Sequence, residues 1–270
     1  MPTIRDRFWW WGMKVNALQA TSNYGRLGFA ESKITTHEVM ARTGVTNVIM
    51  AGGLPLDETT LASLPLARRV LCKTSLHKGE EGGVVRNVDD CLQRLMDVKR
   101  LASQDTRIDG FHVDDFSTGS LTAGVGPEDL QRLLHANAVH GPRLPISSTI
   151  YHMSLEIPEL SPVLPYFDQY LLPLWHADKI ESLPGFVDRL GELSGNKPIL
   201  VCLYVYDFGD GRPIPRALMQ RHLAVAEELI LRQKVTGLCV CGTCMVDLDW
   251  EANHVLFDWL EKAGQRDAPG

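Results

Sequence analysis

The amino-acid sequence predicts a (β/α)8 barrel, and two features carry that prediction. Eight short apolar runs recur about every 25 to 35 residues, and each has the β-branched or aromatic character of a strand buried on both faces. The stretches between them are long enough for crossover helices. Alternation of strand and helix eight times in about 250 residues is typical of this fold. The even spacing, without a Gly/Ser/Pro-rich linker, predicts one domain over residues 1–270.

The eight predicted strands share an apolar centre and end in turn-forming residues. They cover 10–16, 47–51, 70–75, 110–116, 146–151, 170–175, 199–207 and 237–245. Side chains alternate between the two faces of a strand, so every second residue of each run should face the barrel interior. For the first run, this assignment places Trp11 and Met13 outside and leaves Lys14 and Asn16 inside.

The segments between the strands carry signals of helix starts and of loops. Thr35 or Thr36 can cap a helix over 36–43, and Pro55 begins a short helical segment. An apolar stripe at helical spacing predicts a helix over 87–102, and Pro127 with the acids after it suits a first turn of 127–138. The proline-rich segment 156–167 predicts a loop with a short helix. Further helices are predicted over 177–193, 215–232 and 247–263, and loops over 23–28, 77–83, 117–126 and 209–212.

Composition excludes several classes of partner. The formal charge of −6 and the lack of a Lys/Arg run argue against a nucleic-acid-binding surface. No stretch approaches the roughly 18 apolar residues of a membrane span, and the mean hydropathy is −0.08. Five of the six cysteines lie in predicted strands, where they act as small apolar side chains. Reduced thiols and a cytoplasmic location are therefore expected, no cofactor is implied, and the oligomeric state is left open.

The predicted active site lies at the carboxyl ends of the strands, where such barrels build their sites. Two lysines, a histidine and two adjacent aspartates there exceed what structure alone requires, because an unpaired buried charge is costly. The polar and aromatic side chains that strand alternation and the loop starts place there are Lys14, Asn16, Lys73, His112, Asp114, Asp115, Tyr151, Trp175, His176, Asp178, Tyr204, Tyr206 and Asp207.

The strand-four motif, residues 109–116, carries the most specific chemistry. Asp114 and Asp115 place two carboxylates close together, and two like charges raise the pKa of one of them. A nearby lysine or histidine lowers the pKa of the other. One carboxylate can then act as an ionised nucleophile or base while its neighbour holds a proton or hydrogen-bonds.

This motif resembles the strand-four stretch of barrel glycoside hydrolases, in which a DG-apolar-x-x-D(D) run ends in a catalytic or sugar-binding carboxylate. Phe116 stands where the chitinase-like version has a glutamate, so that mechanism is not expected. Barrels with an aspartate nucleophile on strand four and an aspartate acid after strand six are the better match. The resemblance implies Asp114 as nucleophile or base, with Asp178 as acid and Asp207 as its rival.

The sequence therefore predicts an aspartate-dependent glycoside hydrolase acting on a small or acidic sugar, with Asp115 as the electrostatic partner of Asp114. Trp175 offers a flat ring for stacking on a sugar. The other residues expected to bind the carbohydrate substrate are Lys14, Asn16, Lys73, His112, Tyr151, His176, Tyr204 and Tyr206.

Three alternatives remain open at this point. Lys73 in a dry barrel could lose its proton and form a Schiff base, as in aldolases and lyases. His112, Asp114 and His176, with Asp115 or Asp207, could hold a divalent metal for hydrolysis or isomerisation. The barrel could also bind a sugar without chemistry.

Overall fold

Eight parallel strands close into a barrel in the computed structural model, which describes residues 2–19, 29–51, 54–55, 57–81, 83–139 and 141–269. Each strand pairs with its neighbours in sequence, and the first pairs with the last, so the predicted (β/α)8 architecture is confirmed. The loop predicted over 23–28 lies outside the described residues. The barrel strands are β1 (Phe8–Gly12), β2 (Asn47–Met50), β3 (Arg69–Thr74), β4 (Ile108–Val113), β5 (Ile146–Thr149), β6 (Gln169–Pro173), β7 (Ile199–Tyr204) and β8 (Gly237–Cys241).

Helices cover the outside of the barrel and follow nearly every strand. They are α1 (Thr36–Thr43), α2 (Glu58–Ala62), α3 (Val88–Ala102), α4 (Pro127–Val139), α5 (Leu183–Ser194), α6 (Arg216–Leu231) and α7 (Glu251–Lys262). Between β5 and β6 the described chain forms only two short 3-10 turns, His152–Ser154 and Leu164–Tyr166. No helix among the described residues is long and apolar enough to cross a membrane.

The start of α1 shows how local sequence fixes an element. The Thr35 hydroxyl accepts the backbone N–H of Glu38, and the Glu38 carboxylate accepts the backbone N–H of Thr35. This reciprocal capping box satisfies two amides that the helix itself cannot pair. At the other end Gly44 takes a left-handed conformation with φ of 69°, which glycine adopts without a Cβ penalty.

Two segments predicted as loops form antiparallel hairpins instead. Residues 77–83 belong to a hairpin of His77–Glu80 paired with Gly83–Arg86, and residues 206–213 form a smaller one. In the smaller hairpin, Gly209 and Gly211 lie in the turn between its two strands. The first hairpin, called here hairpin 77–86, leads from the end of β3 to α3.

The interior register predicted for β1 is wrong by one residue. The Trp10 indole N–H donates to Thr43 on α1 at 3.2 Å, so Trp10 faces the helices. A Cβ at Gly12 would lie 2.7 Å from the Val48 side chain and 3.3 Å from Thr36, which places this position on the helix side too. Trp11 therefore points into the barrel. Because residues 8–11 are apolar on both faces, their alternation carried no information about register.

Candidate active site

A cavity of about 480 Å3 opens at the carboxyl ends of the strands, in the place where barrel enzymes build their sites. Its size lies in the usual range of small-molecule pockets. Polar groups converge on one side and rings line much of the remainder. Its lining includes Trp11, Lys14, Lys73, Asp114, Asp115, Thr149, Tyr151, Trp175, Tyr204, Phe208 and Cys241.

Asp114 lies just beyond β4 and is held by groups from two other strands. Oδ2 is 2.8 Å from Nζ of Lys73, and the Thr149 hydroxyl donates to Oδ1 at 3.0 Å. Burial raises the pKa of Asp114, but the charge of Lys73, that of His112 at pH values where this ring is protonated, and these two hydrogen bonds outweigh it and leave the pKa below its ordinary value. Asp114 is therefore ionised at neutral pH.

Asp115 reaches the same cavity because the backbone turns at this residue. Its φ of 47° and ψ of 36° are left-handed, a conformation that Asp tolerates better than most side chains. A π-helical turn, Phe116–Ser120, follows at once, and such turns often occur at functional sites. The Tyr151 hydroxyl donates to Oδ1 of Asp115 at 2.7 Å. A straight strand would have sent this side chain away from Asp114.

The two aspartates differ in their affinity for a proton. The negative charge of Asp114, and burial after it, raise the pKa of Asp115 to about 6, against the lowering effect of the Tyr151 hydrogen bond. Asp115 thus carries a proton over a pH range in which Asp114 does not. The pair can offer a proton donor and a carboxylate in one cavity, as the sequence predicted from the motif.

His112 lies beneath the pair and fixes one carboxylate oxygen through Thr149. Its Nε2 is 2.9 Å from the Thr149 hydroxyl and its Nδ1 is 2.7 Å from that of Ser147. Burial lowers the pKa of His112 to about 4, so the ring is neutral at neutral pH. Because Thr149 gives its proton to Asp114, it must accept the Nε2–H of His112, and Nδ1 then accepts from Ser147.

The opposite wall of the cavity is aromatic. Trp175 stacks on Phe208 with ring centroids 5.1 Å apart, and its edges meet Tyr151 at 5.8 Å and Tyr204 at 6.1 Å. Trp11 stands across from them, with Lys73 Nζ 6.0 Å from its ring centroid. These rings offer apolar faces to a ligand, and the two tyrosines also carry hydroxyl groups.

The structure brings most of the predicted site residues together. Lys73, Asp114, Asp115, Tyr151, Trp175 and Tyr204 line the cavity, Lys14 lies exposed at its mouth, and His112 supports it from below. Asn16 is not among the lining residues, and its Oδ1 instead accepts the backbone N–H of Ser32 at 2.6 Å. Its predicted place inside the barrel is therefore wrong.

The two aspartates predicted as the acid also lie outside this cavity. Asp178 is exposed and contacts Lys179 at 3.3 Å. Asp207 is buried but accepts the backbone N–H groups of Ala177, Gly209 and Asp210, so it caps the turn of a hairpin. Local backbone amides satisfy it, and it does not reach the cavity lining.

The side chains of Tyr206 and His176, which were also predicted to be in the site, lie outside the cavity. Tyr206 packs between Phe29 at 4.6 Å and Trp250 at 5.5 Å, both measured between ring centroids. His176 lies against Gly209, where a Cβ would collide with its ring. Neither side chain lines the cavity, although strand alternation placed Tyr206 there and the position just after strand six placed His176 there.

The structure does not assemble the predicted metal ligands. Both ring nitrogens of His112 form hydrogen bonds with hydroxyl groups. His176 instead lies beside Asp207 and Asp210, and the potential ligand atoms of these three side chains all fall within 4.8 Å of one another. The side chains of His176, Asp207 and Asp210 could together coordinate a cation. However, Asp207 already accepts hydrogen bonds from three backbone amides, and Asp210 forms an ion pair with Arg212 at 2.8 Å. The geometry there is explained without a metal.

The Schiff-base alternative needs an unprotonated lysine, and Lys73 is not one. The charge of Asp114 raises the pKa of Lys73, and this effect outweighs the lowering that burial causes. An ammonium group is not a nucleophile. Lys73 therefore serves as the counter-ion of Asp114.

Several lining residues were absent from the predicted site, among them Trp11, Thr149 and Phe208. Trp11 was assigned to the wrong face of β1, Thr149 was placed on the interior face of β5 without a role, and Phe208 follows Asp207 as an aromatic residue after a strand. The position of Phe208 directly after a predicted strand end could have indicated that it lies near the site. The role of Thr149 depends on its distance to Asp114, which a single sequence does not contain.

Comparisons with solved structures find similar folds in several carbohydrate-degrading or cell-wall-lytic enzymes. No protein-family model and no curated protein matches the chain. A chitinase from Chromobacterium violaceum has a TM-score of 0.55 at 13% identity, and the match covers 93% of this chain and 98% of that one. A spore cortex-lytic enzyme from Bacillus megaterium has a TM-score of 0.53 at 11% identity, and the match covers 98% of this chain and 75% of that one.

A β-glucuronidase from Bacteroides uniformis gives a TM-score of 0.56 at 11% identity over 76% of this chain. The match spans 27% of the β-glucuronidase chain. At these identities the likeness shows the fold alone. The resemblance to barrel glycoside hydrolases is thus confirmed for the fold, and the role of the 109–116 motif stays a prediction.

Proposed function

We propose that the protein is a carbohydrate-active enzyme, a glycoside hydrolase whose reacting groups are Asp114 and Asp115. One observation carries the proposal. Two consecutive carboxylates enter one aromatic-lined cavity, and their surroundings move their pKa values in opposite directions. Glycoside hydrolysis needs a protonated acid for the leaving oxygen and a carboxylate for the positive charge that develops on the sugar.

The pKa values assign a role to each aspartate. Asp115, with a pKa of about 6, is the proposed general acid that protonates the leaving-group oxygen. Asp114, ionised beside Lys73, is the proposed nucleophile or base on the sugar side. This proposal moves the acid from Asp178 or Asp207 to Asp115, because neither of those side chains reaches the cavity.

The proposed substrate is a small or acidic sugar. Trp175, Phe208 and Trp11 offer apolar faces to a sugar ring, and Lys14 adds a positive charge beyond the Lys73–Asp114 pair. Lys14 has no ion-pair partner in the described part of the chain, so its charge is available at the mouth. These features favour an acidic substituent on the bound sugar.

We further propose that residues 1–270 act as one domain in the cytoplasm. The two ends of the chain pack together, since Phe8 lies 6.4 Å from Trp259 by ring centroids and Thr3 bridges to Asp267. All six cysteines are free thiols, five of them buried. Thiols in this state fit a reducing compartment.

The experiment is a turnover screen with phenyl and alkyl glycosides, uronides included, because these poor leaving groups need protonation by a general acid. Asp115→Asn and Asp114→Asn should each lower kcat/KM at least about 100-fold, the range for loss of a general acid or a reacting carboxylate. Asp178→Asn is the matched control, because that aspartate is exposed and outside the cavity. Full activity in Asp115→Asn would contradict the assignment of the acid.

A further inference from the structure

A second cavity, of about 470 Å3, opens beside the first. It lies among the end of β3, hairpin 77–86 and the start of α3. The side chain of Lys73 lines both cavities and is part of the wall they share. The two volumes are nearly equal, so a ligand longer than one sugar ring has room on both sides of this lysine.

The wall of the second cavity is mainly cationic. Lys73, Lys78 and Arg94 contribute cationic side chains, although Asp114 compensates the charge of Lys73 from the first cavity. Asp90 contributes the single carboxylate among its described lining residues. Lys78 pairs with Glu80 at 2.9 Å, but both side chains are about half exposed and water weakens that contact. Arg94 forms no ion pair with any residue that the structure describes.

The remaining titratable group, His77, is fixed and uncharged. Its Nδ1 lies 2.9 Å from the Ser75 hydroxyl and 3.0 Å from that of Ser120. Burial lowers the pKa of His77, so it adds a neutral polar group and not a cation. The ring lies directly against Gly119, where any side chain would displace it.

We propose that this basic pocket is a second substrate subsite, for a sugar unit that carries a carboxylate or a sulfate. The inference rests on the proposed function and deepens it, because it makes the substrate an acidic oligosaccharide whose next unit lies beyond Lys73. Arg94 supplies the planar pair of N–H donors that matches a carboxylate or sulfate, and Lys78 supplies a point charge.

The test is calorimetric binding on the Asp115→Asn background, in which turnover should be slowed at least about 100-fold. The probes are uronate and sulfated tetrasaccharides, each with a neutral counterpart made by carboxyl reduction or desulfation. Each acidic probe that binds should do so more tightly than its counterpart. Arg94→Met should then lower affinity for the acidic probe about tenfold, the size of one charge-assisted hydrogen bond, and leave the neutral counterpart unchanged.

Arg100→Met is the matched control, because Arg100 lies on the same helix, pairs with Glu58 and is not in the pocket lining. It should bind both probes as the parent does. Equal binding of acidic and neutral probes, or no effect of Arg94→Met, would overturn the subsite and leave the proposed function standing. Binding of no tetrasaccharide at all would count against both. The uronate and sulfate arms show which anion the pocket takes.

Discussion

Lys73 and Asp114 form a close ion pair across β3 and β4, with Nζ 2.8 Å from Oδ2. The other oxygen of Asp114 accepts from Thr149, so both carboxylate oxygens are engaged by donors. This keeps Asp114 ionised within the barrel. Its charge in turn is the largest cause of the raised pKa of Asp115. One ion pair therefore sets the protonation of both carboxylates.

Loss of the ion pair should destabilise the fold. Lys73→Met leaves Asp114 buried without its counter-ion, and we expect the free energy of unfolding to fall by about 2–3 kcal/mol at pH 7. That is less than the 3–5 kcal/mol typical of a fully buried pair, because Lys73 is partly exposed. Urea unfolding measures it. Lys14→Met, at an exposed position, should change stability by less than about 0.5 kcal/mol. Equal values for the two variants would contradict the role of the pair.

The ionised side chain of Asp115 should lower the free energy of unfolding at and above neutral pH. Its pKa is about 6 in the folded protein and 3.8 for the ordinary group, so its stabilising contribution is present below about pH 4 and is lost as pH rises through 6. Asp115→Asn should therefore raise the free energy of unfolding by roughly 2–3 kcal/mol at pH 8, where wild type must carry the charge. The gain should vanish near pH 4. Denaturant titrations at both pH values test this, and a variant less stable than wild type at pH 8 would refute it.

Tyr151 should set the alkaline limb of the pH–rate profile. If Asp115 is the acid, kcat/KM falls as pH rises above about 6, because only the protonated form donates. The Tyr151 hydroxyl lowers the pKa of Asp115, so Tyr151→Phe should move this limb to higher pH. Tyr204→Phe alters the same cavity but leaves the hydrogen bond from Tyr151 to Asp115 intact, so the alkaline limb of its pH–rate profile should match that of wild type. Identical limbs in wild type and Tyr151→Phe would exclude Asp115 as the titrating group.

His112 should matter through its hydrogen bonds and not through its charge. His112→Leu leaves the buried hydroxyls of Ser147 and Thr149 without the ring, and each such loss costs about 1–3 kcal/mol. We expect a total of about 2–4 kcal/mol in thermal or urea unfolding. His135→Leu, at an exposed position of α4, serves as control. A cost that grows sharply between pH 7 and pH 5 would show instead that His112 is charged in the fold.

The sequence predicted the barrel well because its signal is repeated eight times. Each of the eight barrel strands begins within about two residues of its predicted start, since runs buried on both faces are continuous in apolar character. The same property hides the register. In β1 the consecutive tryptophans gave no alternation to follow, and only the contacts of Trp10 and Gly12 with the helix side reveal that Trp11 faces the cavity.

The site was predicted in part, and the failures have a common cause. Lys73, Asp114 and Trp175 were placed correctly because each follows directly from a strand end. Asp178 and Asp207 were not, because short-range turns after β6 and β7 determine where those carboxylates point. Such turns depend on backbone amides that a residue pattern does not specify.

The protonation of the aspartate pair is the central claim, and a carbon-13 NMR titration of the side-chain carboxyls tests it without a substrate. We expect one carboxyl of the pair to titrate below the ordinary range of an aspartate and the other near 6. In Asp114→Asn, the remaining carboxyl of Asp115 should fall toward the ordinary value of 3.8, because the charge that raised its pKa is gone. Two carboxyls that both titrate near 4 in wild type, or an Asp115 unchanged by that substitution, would contradict the account.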